Sequence, residues 1–500
     1  MNRIFIVLAI ACGPNALGGC GGGGSSGVVS SPTKDFSLSA SLSSTGTEVG
    51  GTTPALTLSL TPQNGFADSA TVSVSGLPMG ITVSPASQFT LAARADQTIT
   101  FSAPEAAGTF DVHFSAASGA LVHSTTVTLT VTPKPSQYLL AASYYPWYID
   151  ELGPNHTWNY LECYYGSLRQ ELVPQELPML GQYNSRDEDV VTQQIAWSSG
   201  AGVNVWALEW APPELAPLDD VIRNVVLKNP HIGDLKFAIF YDYAVQYLND
   251  FNLTPAKISK ITADFSYIAK TYFSNPNYLK VEQGRPVVFF YVTRALTPLP
   301  DVQQMATAIR QAASDAGFDI FIIGDEYYAG NAPDPAHIAL WDGIFGYDVY
   351  VGYGGYSDDN GYLALHAAMY DQYTAVTQQL GVEFVGSLMP GFNNRATRRT
   401  CMDIPALARR TSAAAPEGSM FRSFLRDIVL PHIRTSKLKM MHITSFNEWR
   451  EDTEIEPTVV TAPTTQDTSP SGNQYTQGLI YQGYGTTYLD IIREELANTP

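Results

Sequence analysis

From residue 138 onward, continuously apolar runs alternate with longer amphipathic ones, and that alternation restricts the possible fold more than anything else in the chain. The runs are YLLAASYY (138–145), VNVWALEW (203–210), KFAIFYDY (236–243), PVVFFYV (286–292), DIFIIGDE (319–326), DGIFGYDVY (342–350), VEFVGSLMP (382–390) and KMMHITSFNEW (439–449). Strands that read as unbroken apolar runs are those of a parallel sheet covered on both faces. Between them lie helical patterns such as DVVTQQIAWSSGAG, DDVIRNVVL, PAKISKITADFSYIAKTYF, DVQQMATAIRQAASDAG and GYLALHAAMYDQYTAVTQQLG, several closing on Gly, a common helix stop. Eight such units over roughly 360 residues predict a (β/α)8 TIM barrel spanning residues 134–500. A doubly wound open sheet is the alternative, and no run is followed by the GxGxxG or Walker loop that such sheets use.

Residues 35–133 have a different texture. Ser, Thr, Val, Ala and Gly dominate, and short alternating segments recur: FSLSASLSS, LTLSLTP, ATVSVSG, ITVSP, QTITFSAP, FDVHFSAA and STTVTLTVT. Alternation such as VTLTV buries one face and wets the other. Seven such segments separated by Gly, Pro and Asn predict an immunoglobulin-like β-sandwich ahead of the barrel, joined to it by TPKPSQ (132–137). His113 and His123 read as surface residues of this domain, which carries no catalytic constellation and suits a spacer or a weak glycan-binding module.

The first residues read as an export signal over 1–20: a basic MNR, the apolar run IFIVLAIAC, then LGGC. Leu-Gly-Gly-Cys resembles a bacterial lipobox, which would lipidate Cys20, with residues 21–34 as a Gly/Ser tether. The expected location is a bacterial outer membrane or cell surface, reached through that lipid, with a free periplasmic or secreted form as the alternative. Cys163 and Cys401 are then left, either as a disulfide or as two buried thiols. No Cys/His spacing suggests a zinc site. A net charge of −19 argues against nucleic acid and suits a neutral or cationic ligand. The expected state is a monomer.

In a barrel of this kind the reactive residues gather where strands end at their C-terminal side. Each run turns aromatic or acidic there. The candidates are Tyr144, Tyr145, Trp147, Trp206, Glu209, Trp210, Tyr241, Asp242, Tyr291, Asp325, Glu326, Tyr347, Asp348, Asn447 and Trp449. Aromatic platforms with carboxylates describe a carbohydrate cleft, in which rings stack on sugars and carboxylates bind hydroxyls or move protons. The last strand delivers SFNEWREDTEIEP (445–457), where Glu448 and Glu451 are three residues apart and can point into one space. Two close carboxylates repel, so one keeps a proton while the other ionises, and glycoside hydrolysis needs that difference. Asp452, Glu454 and Glu456 read as structural or solvated.

SFNEWREDTEIEP resembles SFNEWHEGTQIEP, the signature of glycoside hydrolase family 99, the endo-α-mannosidases and endo-α-mannanases, and of related family 99-like proteins. YYPWY (144–148), YNSRDEDVVTQQIAWSSGAGVNVWALEW (183–210) and MPGFNNRATRR (389–399) are similar to further segments of that family, so the resemblance covers about residues 138–500. It implies a (β/α)8 barrel that cleaves inside an α-mannoside chain with retention and without metal or other cofactor. It implies that Glu448 is the base taking the proton of the sugar 2-hydroxyl, giving a 1,2-anhydro intermediate, and that Glu451 is the acid for the leaving oxygen. It also implies that Trp210 or Trp206 lines a donor-side subsite and that Tyr144, Tyr145 and Trp147 lie near the reacting sugar. Two residues depart from the signature: Arg450 stands at the family's His and Asp452 at its Gly. In the third strand AIFYDY replaces the mannosidases' His-x-Glu-Pro-Tyr. The expected function is a retaining endo-glycosidase acting on an α-linked polysaccharide, with a non-catalytic glycan-binding or envelope-assembly protein as the alternative.

Overall fold

The structure is a computed structural model that describes residues 32–497, apart from 104–105, 135, 150–160, 163–164, 167–171, 216, 243–246, 248–250, 351–353, 395–404 and 470. The export signal, Cys20, most of the tether, Cys163, Cys401 and the Arg-rich half of MPGFNNRATRR lie outside the described residues. No helix among them is long and apolar enough to cross a membrane.

Residues 35–132 form two five-stranded sheets that share one apolar core. One sheet contributes Phe36, Leu58, Leu60, Ile99 and Phe101, the other Val72, Val112, Phe114, Val127 and Leu129. The burial pattern of Leu121–Thr132 alternates at its C-terminal half, as VTLTV predicts. Seven segments were expected, and ten strands form among the described residues. Ser44–Glu48 (STGTE) was not expected because it buries no residue at all, and it pairs parallel to the last strand. His113 is exposed and bonds Thr126 Oγ1 at 2.9 Å, while His123 Nε2 lies 2.7 Å from Asp35.

The barrel strands are β1 (Leu139–Tyr144), β2 (Val205–Trp210), β3 (Lys236–Tyr241), β4 (Arg285–Phe290), β5 (Phe321–Asp325), β6 (Gly343–Phe345), β7 (Glu383–Phe384 and Gly386–Leu388) and β8 (Met440–Ile443). All eight expected runs are strands, and every neighbouring pair is parallel. The ring closes through β7, whose first half pairs with β6 and second half with β8. An outer layer of helices includes α1 (Glu188–Ala201), α2 (Pro255–Tyr272), α3 (Leu299–Asp315), α4 (Tyr362–Leu380) and α5 (Thr487–Ala497). Asp187 caps α1 by accepting the Asp189 amide, and Gly202 ends it at φ 94°, a conformation glycine adopts without strain.

Strand parity sorts the side chains into two cores. Leu140, Ala142, Trp206, Leu208, Phe237, Ile239, Val288, Ile322 and Ile344 pack outward against the helices. Ala141, Val205, Ala207, Ala238, Phe240, Val287, Phe289, Ile323 and Phe345 fill the barrel interior. Successive residues of a strand point to opposite faces, so this alternation also decides which residue at each strand's end reaches the mouth.

Candidate active site

Continuing the inward parity past the filled interior gives Tyr145 after β1, Glu209 on β2, Asp242 after β3, Tyr291 after β4, Asp325 on β5 and Tyr347 after β6. Tyr145, Tyr291 and Tyr347 belong with or against the interior cluster. The hydroxyls of Tyr145 and Tyr347 bond at 2.5 Å across the barrel, and Tyr291 packs edge-on against Tyr347 at 4.9 Å. Trp147 tilts over Tyr145 at 4.4 Å, and the Arg450 guanidinium lies 5.7 Å from the Trp147 ring.

The opposite parity removes four expected cleft residues. Tyr144, Trp206, Trp210 and Tyr241 point away from the mouth into the layer between strands and helices. Tyr144 stacks on Trp206 at 4.0 Å and donates to Gln194 Oε1. Trp206 Nε1 donates to Ser198 Oγ, Trp210 Nε1 to Asp219, and the Tyr241 hydroxyl to Asp264. Their polar atoms are spent on the helices, so none can serve as a sugar platform. Glu326 faces outward for the same reason and accepts Trp341 Nε1 at 2.7 Å. Trp449 is buried beside Tyr148, Tyr183 and Val190, its Nε1 bonded to Glu456.

The turn after β8 is built to hold Glu448. The Glu448 amide donates to Ser445 Oγ at 2.7 Å, and Ser445 N donates to Thr453 O at 2.7 Å. Asn447 is not a free cleft residue: its Oδ1 accepts the Tyr145 amide at 2.8 Å and its Nδ2 donates to the Tyr145 carbonyl at 3.1 Å. It therefore fixes the end of β8 to the end of β1. The Tyr148 hydroxyl bridges the Asn447 carbonyl and the Trp449 amide. Below the turn, buried Arg409 holds the carboxylates of Asp452 and Glu454 and both of their carbonyls. Asp452 sits at φ 58°, the left-handed region that the family's Gly favours and that Asp tolerates. Asp452, Glu454 and Glu456 are thus structural and buried, not solvated.

Glu448 is almost wholly buried. Its Oε1 accepts the Arg450 amide at 2.9 Å, and its Oε2 is buried with no hydrogen-bond partner. Burial pushes its carboxyl well above the usual range; Arg450 pulls it down and the Glu451 charge pushes it further up. Glu451 is half-buried. Burial raises the Tyr145 and Tyr347 hydroxyls, and the charges of both glutamates raise them further, so both carboxylates act on the same tyrosine pair. Glu209 is likewise raised by burial, then by Asp242 and Glu448. Asp325 is committed to the scaffold: it accepts the amides of Val292 and Tyr347 and pairs with Arg294, which also pairs with Asp348. Burial lifts Asp325 to about 6 even so. It ties the ends of β4, β5 and β6 together and is wholly buried, out of reach of a sugar.

Sequence reasoning missed Arg294, Arg409, Tyr148, Tyr183 and Gln194. Only Arg294 carried a local signal, a lone cation among acidic strand ends. Among the described residues no three His, Cys, Asp or Glu side chains gather closely enough to hold a metal ion.

Comparison with known proteins bears on the same region. The profile of Glycosyl hydrolase family 99 matches residues 154–470. A mouse glycoprotein endo-alpha-1,2-mannosidase-like protein is 23% identical over 304 residues, covering 57% of this chain and 59% of that protein. The zebrafish protein of the same description is 26% identical over 303 residues, covering 56% and 59%. The chain thus spans less than two thirds of the length of these relatives. Two structures of the GH99 endo-alpha-mannosidase of Bacteroides thetaiotaomicron superpose over 72% and 71% of this chain and 97% of their own, with 18% identity and TM-scores of 0.49 and 0.47.

Proposed function

The chain belongs to glycosyl hydrolase family 99, and from that premise we propose that it is a retaining endo-glycosidase of α-linked mannose glycans, with Glu448 as base and Glu451 as acid. The observation that carries this reading is the Glu448 carboxyl: buried on the last barrel strand's turn, one oxygen held by a backbone amide, the other without a partner. An acceptor kept dry and unoccupied has high basicity, which a weakly acidic sugar hydroxyl requires.

Repulsion between the two carboxylates keeps one proton on the pair, and the working form is the one that carries it on Glu451 and leaves Glu448 ionised. Glu448 Oε2 takes the proton of the 2-hydroxyl. The freed oxygen attacks C1 as the C1–O bond to the leaving sugar breaks, and Glu451 gives its proton to the departing oxygen. Water then attacks C1 of the anhydro sugar, losing its proton to Glu451 while O2 recovers one from Glu448. Two inversions at C1 give net retention. The Tyr145 and Tyr347 hydroxyls feel both charges, and bonded to each other they form one wall of this corner. We also read the two-sheet domain as an immunoglobulin-like spacer; a glycan ligand held tightly by that domain in an array would replace this reading.

The test is hydrolysis of α-mannans by the full chain. Glu448→Gln and Glu451→Gln are each expected to lower kcat at least about a hundredfold, the usual scale for a general base or acid. Near-normal turnover in either variant removes that residue from the mechanism, and a wild-type chain that binds mannan without cutting it leaves a glycan-binding protein.

A further inference from the structure

The proposed chemistry leaves one carboxyl of the mouth without a task. Glu209 ends β2 on the inward parity of Val205 and Ala207, which line the barrel interior. Register with β1 sets Leu208 opposite Tyr144, so Glu209 follows beside Tyr145, whose backbone Asn447 ties to the turn that carries Glu448. Register with β3 sets Glu209 opposite Phe240. Its neighbours on the inward face are therefore Tyr145, Phe240 and, two residues back on its own strand, Ala207.

None of these neighbours satisfies it. Glu209 is 5% exposed and makes no hydrogen bond, and its Oε2 is fully buried without a partner. The Tyr145 hydroxyl is bonded to that of Tyr347 instead, and Phe240 and Ala207 have no donor on their side chains. No described Lys or Arg pairs with Glu209: Arg294 is held by Asp325 and Asp348, and the Arg450 guanidinium stands over Trp147. An ionised carboxylate with neither donor nor cation in a dry corner costs far more than a neutral carboxyl there. Burial accordingly pushes Glu209 well above the usual range, and the charges of Asp242 after β3 and of Glu448 on the turn after β8 push the same way. Glu451, on that same turn, acts on Tyr145 beside it. Neutral, the group still has one O–H to place, and no described residue accepts it. A dry donor without an acceptor is a place for the oxygen of a ligand.

We propose that Glu209 determines specificity as a hydrogen-bond donor: its carboxylic O–H bonds an oxygen of the sugar seated against Tyr145, and it takes no part in the proton transfers of Glu448 and Glu451. The inference rests on the hydrolase reading above and deepens it, giving a third carboxyl of the same cleft a binding role. The donor selects an acceptor, so a hydroxyl, ring or acyl oxygen satisfies it, and a methylene at that place leaves the O–H unpaired. Ionisation turns the donor into a second acceptor. Affinity for the sugar is therefore complete while Glu209 is protonated and falls as pH rises through its raised value.

Two measurements on the full chain test this, and neither needs turnover. The infrared difference between wild type and Glu209→Gln at neutral pH is expected to contain the C=O stretch of a protonated carboxyl, and its absence overturns the proposal. Calorimetry with methyl α-mannoside and the α-1,2-, α-1,3- and α-1,6-linked methyl mannobiosides is the second. The tightest of these ligands is expected to bind about tenfold more weakly to Glu209→Ala, whose fold is checked by its melting curve, the scale of one buried hydrogen bond. Glu209→Gln keeps a donor at that place, so it should recover the affinity to within about threefold and hold it as pH rises, where wild type loses it. If Glu209→Gln binds as weakly as Glu209→Ala, the group works as a carboxylate; if Glu209→Ala binds like wild type, it touches no sugar; either result overturns the donor. The two readings fail separately. This binding pattern in a chain that cuts no mannan overturns the hydrolase and keeps the donor. Mannan hydrolysis with an unchanged KM in Glu209→Ala overturns the donor and keeps the hydrolase.

Discussion

Glu456 shows how single residues hold the reacting turn in place. Its carboxylate accepts the Tyr183 hydroxyl at 2.8 Å, Gln194 Nε2 at 2.7 Å and Trp449 Nε1 at 2.7 Å. Gln194 in turn accepts the Tyr144 hydroxyl, so β1, α1 and the turn after β8 meet at one side chain. All three partners present a donor to it. Glu456→Gln would set an amide N–H against a donor whichever way it turned, and is expected to cost about 2 kcal/mol of unfolding free energy in a denaturant titration. An unchanged midpoint would mean that the three donors have other acceptors. At this scale the sequence showed the Glu448 and Glu451 spacing, because both lie in one short signature. It did not show the seat of Glu456, whose donors come from positions 183, 194 and 449 and meet only through the fold.

At the scale of the strand, parity decides what an aromatic residue is for. Eight apolar runs were legible because parallel strands are buried on both faces, but the same double burial hid which face was which. Tyr144 and Tyr145 are adjacent and chemically identical, yet one packs on Trp206 and the other on Tyr347. Small inward residues such as Ala141, Ala207 and Ala238 were the available signal: counting by twos from them reaches Tyr145, Glu209 and Asp242 and passes over Trp210 and Tyr241. The outer face has its own constraint at Gly324 on β5, where a Cβ would lie 2.7 Å from Trp341 Cδ1 and 2.9 Å from Thr293 Oγ1. Trp341 is pinned by its bond to Glu326. Gly324→Ala is expected to cost about 1–3 kcal/mol by overpacking, and to lower turnover by displacing Asp325 and with it the ends of β4 and β6. Thermal unfolding and kcat measured on the same preparation check this; a variant with both unchanged would show that β5 yields without cost.

For the whole molecule, the two domains are joined by specific contacts as well as by a linker. Gln193 on α1 bonds both the amide and the carbonyl of Met79, Ala107 N donates to Ala196 O at 3.0 Å, and Phe110 stacks on His231. The helix that braces β1 and Glu456 therefore also carries the two-sheet domain, a link that no local pattern announces. The same barrel buries an unusual number of carboxyls whose proton affinity is raised. Glu209, Glu448, Asp264, Glu383 and Glu417 all lie above their ordinary range through burial, Asp325 reaches about 6, and Glu456 about 7. A carboxyl raised by folding binds its proton more tightly in the folded chain than in the unfolded one. Its contribution is thus complete below the unfolded value, 4.5 for Glu456, and is lost as pH climbs to the folded value of about 7. For Glu456 alone that loss is on the order of 3 kcal/mol. The net charge of −19 adds self-repulsion as the carboxyls ionise. The full chain is therefore expected to melt at a higher temperature near pH 5 than near pH 8, with the difference reduced in Glu456→Gln. Melting curves across that range decide it. A temperature that holds level or rises toward pH 8 would mean that folding does not raise the proton affinity of these carboxyls, and that the barrel solvates or pairs their charges.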